Sequence, residues 1–194
     1  GNRRTFTLSL WFKGGNVPAS NQRLFSAYES GDDRVEVLYD TDGTFICEIV
    51  IGATGTSFRT AQILRDPSAW YHLVWAVDTT QAVAANRVKI YINGSQVTSF
   101  AVEQAPSQNV DTAVNYTVDQ VIGMTLATPS SPSGDQYYNG YIAEVYLIDG
   151  TQYAASDFGE TNEDTNQWIP KDASGLTFGT NGFYQKYGGT ELAD

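Results

Sequence analysis

One cysteine, one histidine and only 11 basic residues against 22 acidic ones leave this 194-residue chain short of several kinds of chemistry. Cys47 has no partner within the chain, so an intrachain disulfide is excluded, and its apolar run marks it as a buried structural thiol. A zinc site of the Cys and His type needs several such ligands where one of each exists. His72 stands in a Trp-x-His run of apolar residues, which gives it a structural role rather than a place in a nucleophile triad. Nucleic acid is held mainly by Lys and Arg neutralising phosphates. A net charge of −11, with no basic cluster beyond Arg3-Arg4, excludes it as a partner and weighs equally against anionic membrane surfaces. No apolar run approaches the ~18 residues of a membrane span, and no signal peptide opens the sequence. Gly14-Gly15 opens no helix and reads as a turn rather than a phosphate loop.

What the chain does have is aromatic residues (13%, with 12 Tyr, 9 Phe and 4 Trp), 18 Gly, and few charges at 17%. That balance favours strands over helices, and the length suits one β-domain. Trp70 to Val97 is the richest stretch. Tyr71, Leu73, Trp75 and Val77 fall on one side, with Trp70, His72, Val74 and Ala76 on the other. A strand with almost no polar face belongs to a sheet covered on both sides. After a polar connection, Val88, Ile90 and Ile92 alternate with Arg87, Lys89 and Tyr91, and Asn93-Gly94 supplies a tight turn. This pair is expected at the centre of a sheet.

Other strands are read at Thr5–Lys13, Arg23–Glu29, Arg34–Asp40, Thr44–Ile51, around Phe58, Ser99–Val102 (an edge), Thr117–Met124 and Tyr141–Ile148. Thr41-Asp42-Gly43 joins the fourth to the third. In the last strand Tyr141, Ala143, Val145 and Leu147 share one face opposite Ile142, Glu144, Tyr146 and Ile148. Long polar loops run from Glu103 to Asn115 and from Ala127 to Gln136. No segment before Thr151 repeats with period 3.6. Alternating strands with frequent turns predict an all-β antiparallel sandwich.

The order FTLSLWFK (Phe6 to Lys13), WYHLVWAVD (Trp70 to Asp78), VKIYINGSQV (Val88 to Val97) and NGYIAEVYLID (Asn139 to Asp149) resembles the laminin-G-like jelly roll. That family belongs to the concanavalin-A-like lectins and glucanases. The resemblance implies two curved sheets with a ligand site on the concave face or loop rim. It divides the chain into a jelly roll at 1–158 and an acidic linker at 159–194 whose short aromatic segment leads to a further module. The run from Tyr153 to Tyr187, with Phe178-Gly179-Thr180-Asn181-Gly182-Phe183-Tyr184, is similar to segments that follow such jelly rolls in structural proteins of tailed phages and large DNA viruses. That likeness implies a virion setting, on a tail fibre or capsid surface.

Glucanases of this fold carry a Glu-x-Asp-x-(x)-Glu strand whose carboxylates reach one substrate face about 5 Å apart. No such run occurs, and Glu29, Asp32, Asp33 and Glu36 straddle a turn. Hydrolysis is therefore the third reading. Calcium, often held at the rim in this family, would draw on Asp32, Asp33 and Asp135, which are otherwise ordinary turn and loop aspartates. A sugar needs ring faces and hydroxyl partners on loops. Tyr116, Tyr137 and Tyr138 offer rings, with Asp135 and Asn139 beside them; Trp11, Trp70 and Trp75 are expected in the core, and Trp168 as a pin for the linker. Two functions stand in front: a non-catalytic module binding a host-surface carbohydrate, and a structural module contacting virion proteins or copies of itself as a homo-oligomer.

Overall fold

The alternating pattern becomes two stacked sheets in the computed structural model, which describes residues 1–15, 19–128, 131–132 and 136–187. In chain order the strands begin with β1 (Thr5–Gly14), β2 (Gln22–Ser30), β3 (Asp33–Tyr39), β4 (Phe45–Ile51) and β5 (Thr54–Thr60). They continue with β6 (Tyr71–Asp78), β7 (Val88–Ile92), β8 (Ser95–Gln96), β9 (Phe100–Glu103) and β10 (Gln120–Ile122). Then follow β11 (Leu126–Thr128), β12 (Ser131–Pro132), β13 (Gly140–Asp149), β14 (Gly159–Thr161), β15 (Trp168–Pro170) and β16 (Phe183–Gln185). The first sheet runs β16-β13-β1-β6-β7-β8 and the second β10-β2-β3-β4-β5-β9, antiparallel throughout. The fold is an all-β antiparallel sandwich. β11 and β12 form a small ladder within the stretch read as a loop.

The sheets meet through their alternate large side chains. Phe6, Leu8, Leu10 and Phe12 of β1, with Leu73, Trp75 and Val77 of β6, face Val35, Val37 and Tyr39 of β3 and Phe45, Cys47 and Ile49 of β4. Rings interlock there: Phe6 meets Trp75 edge-on at 5.6 Å, and Phe12 meets Phe45 at 4.8 Å. Each such side chain contributes about 1.5–3 kcal/mol by leaving water. Cys47 lies in this core, where burial pushes its thiol pKa up and keeps it unreactive. The middle of the first sheet is the β1–β6 pair; β7 lies toward the edge, so the β6–β7 hairpin is off centre.

A second apolar layer explains why β6 has no polar face. Val74, Tyr146 and Ile148 on the outer side of the first sheet pack under Ala155, Phe158 and Ala173. The strap from Gly150 to Phe178 thus lies across this sheet. At its far end Asp149 is the anchor: its carboxylate accepts the Asn2 N–H at 2.6 Å, the Asn115 amide at 3.1 Å and the Asn181 N–H at 3.1 Å. Gly179, at φ +80°, passes so close that an added Cβ would sit 2.1 Å from the Asp149 carbonyl. This tight turn sets β16 beside β13, with Phe183 opposite Leu147.

The strap is pinned at its middle by Trp168. Its indole N–H donates to His72 Nδ1 at 2.9 Å, and Ser9 Oγ lies 2.8 Å from Nε2. Since an indole only donates, Nδ1 must be the bare nitrogen and Nε2 carries the proton toward Ser9. Trp11 stacks on the imidazole at 4.9 Å. Gly94 and Gly159 flank the Trp168 ring, and an added Cβ on either would fall 2.6 or 2.5 Å from it. Both sequence expectations hold here: His72 is structural and Trp168 is a pin.

Burial lowers the His72 pKa to about 3 from 6.5. The unfolded chain takes up a proton that the folded chain refuses, so stability is complete above pH 6.5 and falls as pH drops toward 3. Urea unfolding at pH 7 and pH 5 is expected to differ by about 2 kcal/mol, and His72→Gln to remove most of that difference. Gly179→Ala is expected to cost about 2 kcal/mol or more, lowering Tm by roughly 4–8 °C, with faster amide exchange over Phe183–Gln185.

Candidate functional site

The bend that shapes the candidate site lies in β13. Opposite β1 the register jumps between Ser9–Tyr146 and Trp11–Ala143, and Glu144 takes φ 50°. This bulge inserts one residue and swaps faces along the strand. Val145 and Leu147 therefore point into the main core with Ile142, while Ala143 opens onto the outer side. The single-face reading of Tyr141, Ala143, Val145 and Leu147 is corrected by that extra residue. A left-handed backbone at a non-glycine residue costs roughly 1–2 kcal/mol, and such strain gathers at functional positions.

Around the bulge lies a trough of about 340 Å³ lined by Trp11, Trp70, Ala143, Glu144, Trp168, Ile169 and Pro170. Trp70, just ahead of β6, is 42% exposed, and Tyr141 is 65% exposed. Their rings lie 6.5 Å apart, tilted by 55°. The expectation of Trp70 in the core is thus overturned, since its place before β6 carries it past the strap's cover. Trp11 is buried as expected, yet on the outer side beneath the strap; Trp75 lies in the main core. Glu144 Oε2 accepts the Tyr184 hydroxyl at 2.6 Å, and Tyr184 stacks on Tyr146 at 4.3 Å. Burial first, then the bond to Glu144, raises the Tyr184 pKa and keeps its hydroxyl a donor. The arrangement sets aromatic and apolar side chains beside a carboxylate acceptor.

A polar groove of about 360 Å³ crosses the outer side of the second sheet, lined among others by Arg23, Arg34, Glu36, Glu48 and Thr125. Glu36 and Glu48 are direct cross-strand partners, an acidic pair invisible to a search along one strand. Arg34 bridges them, donating to Glu36 at 3.3 Å and to Glu48 at 3.1 Å. Arg23 at 3.2 Å and the Thr125 hydroxyl at 2.9 Å complete the ring around Glu36. Glycoside hydrolysis needs a protonated acid and a second carboxylate flanking an open gap; here a guanidinium spans the two. A further cleft of about 570 Å³ beside Gln62, Asn93 and Gln96 has no aromatic lining.

The site residues expected from sequence are scattered. Tyr116 is 37% exposed with the Arg3 guanidinium 4.0 Å above its ring, near the start of β1. Tyr137 is 51% exposed and lies with Asn139 near the opposite end of β1, where the Asn139 carbonyl accepts the Gly15 N–H at 2.8 Å. A strand of that length spans roughly 30 Å, so the two groups form no common site. Tyr138 packs against the main core, and burial raises the pKa of its hydroxyl. Asp135 lies outside the described residues. Asp33 accepts the Gly52 N–H of the β4–β5 turn at 3.0 Å, while the Asp32 N–H donates to Ser30 at 3.2 Å in the β2–β3 turn. Among the described residues no three His, Cys, Asp or Glu side chains converge for an ion. Sequence reading missed Trp70, Tyr141 and Glu144. Strand parity had set Trp70 on the side of His72, Val74 and Ala76, which was itself expected to be covered; nothing in the residue pattern announces the bulge.

No curated protein matches this sequence. Among solved structures, the native heptameric SAP-like pentraxin of Limulus polyphemus superposes with a TM-score of 0.51 at 15% identity, over 77% of this chain and 66% of its own. Domain 4 of the Geobacillus stearothermophilus arabinanase AbnA, solved with arabinotriose, gives 0.57 at 18% identity, over 79% and 64%. The chain thus spans just under two thirds of each. The sialidase CBM40 of Ruminococcus gnavus, bound to α2,3-sialyllactose, gives 0.52 at 16% identity over 75% of both chains. At such identities the likeness is one of fold. Residues 2–156 match the model of the concanavalin A-like lectin/glucanases superfamily, and the chain belongs to that family.

Proposed function

We propose that this chain is a non-catalytic carbohydrate-binding module that recognises a host-surface glycan through the trough on its first sheet. The observation that carries the reading is the exposed Trp70–Tyr141 pair beside the Glu144 carboxylate. Rings of this kind stack on the apolar side of a pyranose, and a carboxylate accepts its hydroxyls. Two neighbours in fold were solved with sugars bound, arabinotriose and sialyllactose, which supports the class of ligand. The Arg34 bridge between Glu36 and Glu48 supports binding over hydrolysis. A place in a virion protein, on a tail fibre or capsid surface, rests on the likeness of Tyr153 to Tyr187 to segments of such proteins. In that setting the same exposed rings would also suit a contact between virion proteins, which is the competing reading.

A glycan array followed by calorimetry on the best ligand tests the proposal. Trp70→Ala and Tyr141→Ala are each expected to weaken binding at least about tenfold with little change in thermal stability, because both rings lie outside the core and are exposed. Tyr137→Ala is expected to leave affinity unchanged. Loss on Tyr137→Ala alone would move the site to the loop rim. No binding at all, with assemblies of the chain seen by light scattering, would favour the structural role; release of reducing ends would restore the hydrolase.

A further inference from the structure

Resting on that carbohydrate reading, we infer that the trough selects uncharged sugars and that Glu144 is the residue that turns carboxylated ones away. Of the lining residues Glu144 alone carries a charge, the rest being Trp11, Trp70, Ala143, Trp168, Ile169 and Pro170. Its two oxygens are not equivalent. Oε2 takes the Tyr184 hydroxyl at 2.6 Å, which fixes the carboxylate in place. Oε1 receives no donor among the described residues and is left for a ligand. A sugar hydroxyl can donate to it; a sialic or uronic acid carboxylate cannot, and meets a like charge instead.

The cations nearby do not offset this. The Lys171 ammonium, next in sequence to Pro170, is held by the Ser156 carbonyl at 3.2 Å. Lys13 lies beside Tyr141 in the β1–β13 register and makes no ion pair with Glu144 among the described residues. Lys186 meets Glu144 through its backbone carbonyl, 3.4 Å from the Glu144 N–H. The chain's net charge of −11 adds to the repulsion at low salt. At an ion separation of about 4 Å, like charges near a protein surface repel strongly enough to change affinity by tenfold or more.

Two walls of different origin define the slot. Trp70 and Trp11 come from the family fold, whereas Trp168, Ile169 and Pro170 belong to the strap beyond residue 156, where the family match ends. The strap wall is rigid because His72, Gly94 and Gly159 hold the Trp168 ring. Glu144 therefore stands in a lining that is otherwise apolar and supplies no cation to pair with a ligand carboxylate. This specificity is opposite to that of the sialyllactose-bound CBM40, although the fold is shared.

Matched pairs test the inference: lactose against α2,3-sialyllactose, and cello-oligosaccharides against the same sugars ended in glucuronic acid. The uncharged member of each pair is expected to bind at least about tenfold tighter, with the gap narrowing as salt is raised from 20 to 500 mM. Glu144→Gln is expected to bring the ratio close to one. Equal binding of both members by the unaltered chain, or a ratio unmoved by Glu144→Gln, overturns the selectivity while leaving sugar binding intact. Failure of every sugar to bind overturns the carbohydrate reading itself, and the selectivity with it.

Discussion

The hydrogen bond from the Trp168 indole to His72 decides what the outer side of the first sheet looks like. Without it, Val74, Tyr146 and Ile148 would need another cover, because nothing in β6 or β13 makes that side polar. The bond works only while Nδ1 is bare, and the Ser9 hydroxyl, which can accept, takes the proton that this leaves on Nε2. Stacking on Trp11 then keeps the imidazole in a setting too dry for a charge. A chain with a single histidine has placed it where ionisation would set two donors against each other.

A second constraint acts within β13. The sheet needs Leu147 and Val145 inside, and the trough needs Ala143 and Tyr141 outside, two demands that a regular strand cannot meet. One inserted residue reconciles them, at the expense of an unfavourable backbone at Glu144. The same insertion aims a carboxylate at the trough, so strain and chemistry meet at one position. Tyr184 then steadies that carboxylate from β16, which reaches β13 because Gly179 lets the chain fold tightly over Asp149 and Gly182 lets it pass close to the Phe178 and Leu147 carbonyls.

Much of the sandwich was readable from the residues, because alternation in β1, β3, β4, β6 and β7 is a direct imprint of burial on one or both sides. The doubly apolar β6 even announced its second cover. What escaped notice depended on partners distant in sequence. Glu36 and Glu48 become neighbours only through strand pairing, and the face swap at Glu144 leaves Tyr141 to Ile148 looking like an ordinary alternating run. Tyr137 and Tyr138 looked alike on paper, yet adjacent residues in an extended chain point oppositely, and Tyr138 turns in to pack against the core. Trp70 was misjudged because large rings in strands usually belong inside, while this one precedes its strand by a single residue.

The strap has a practical corollary for anyone dissecting the protein. The family match stops at residue 156, yet Phe158, Trp168 and Ala173 still shield the first sheet beyond that point. A fragment trimmed to the match would bare a broad oily surface and lose half the walls of its own cleft. Such a piece would clump or misfold for reasons unrelated to its sugar chemistry. The borders of the family match and the borders of the packed unit differ here.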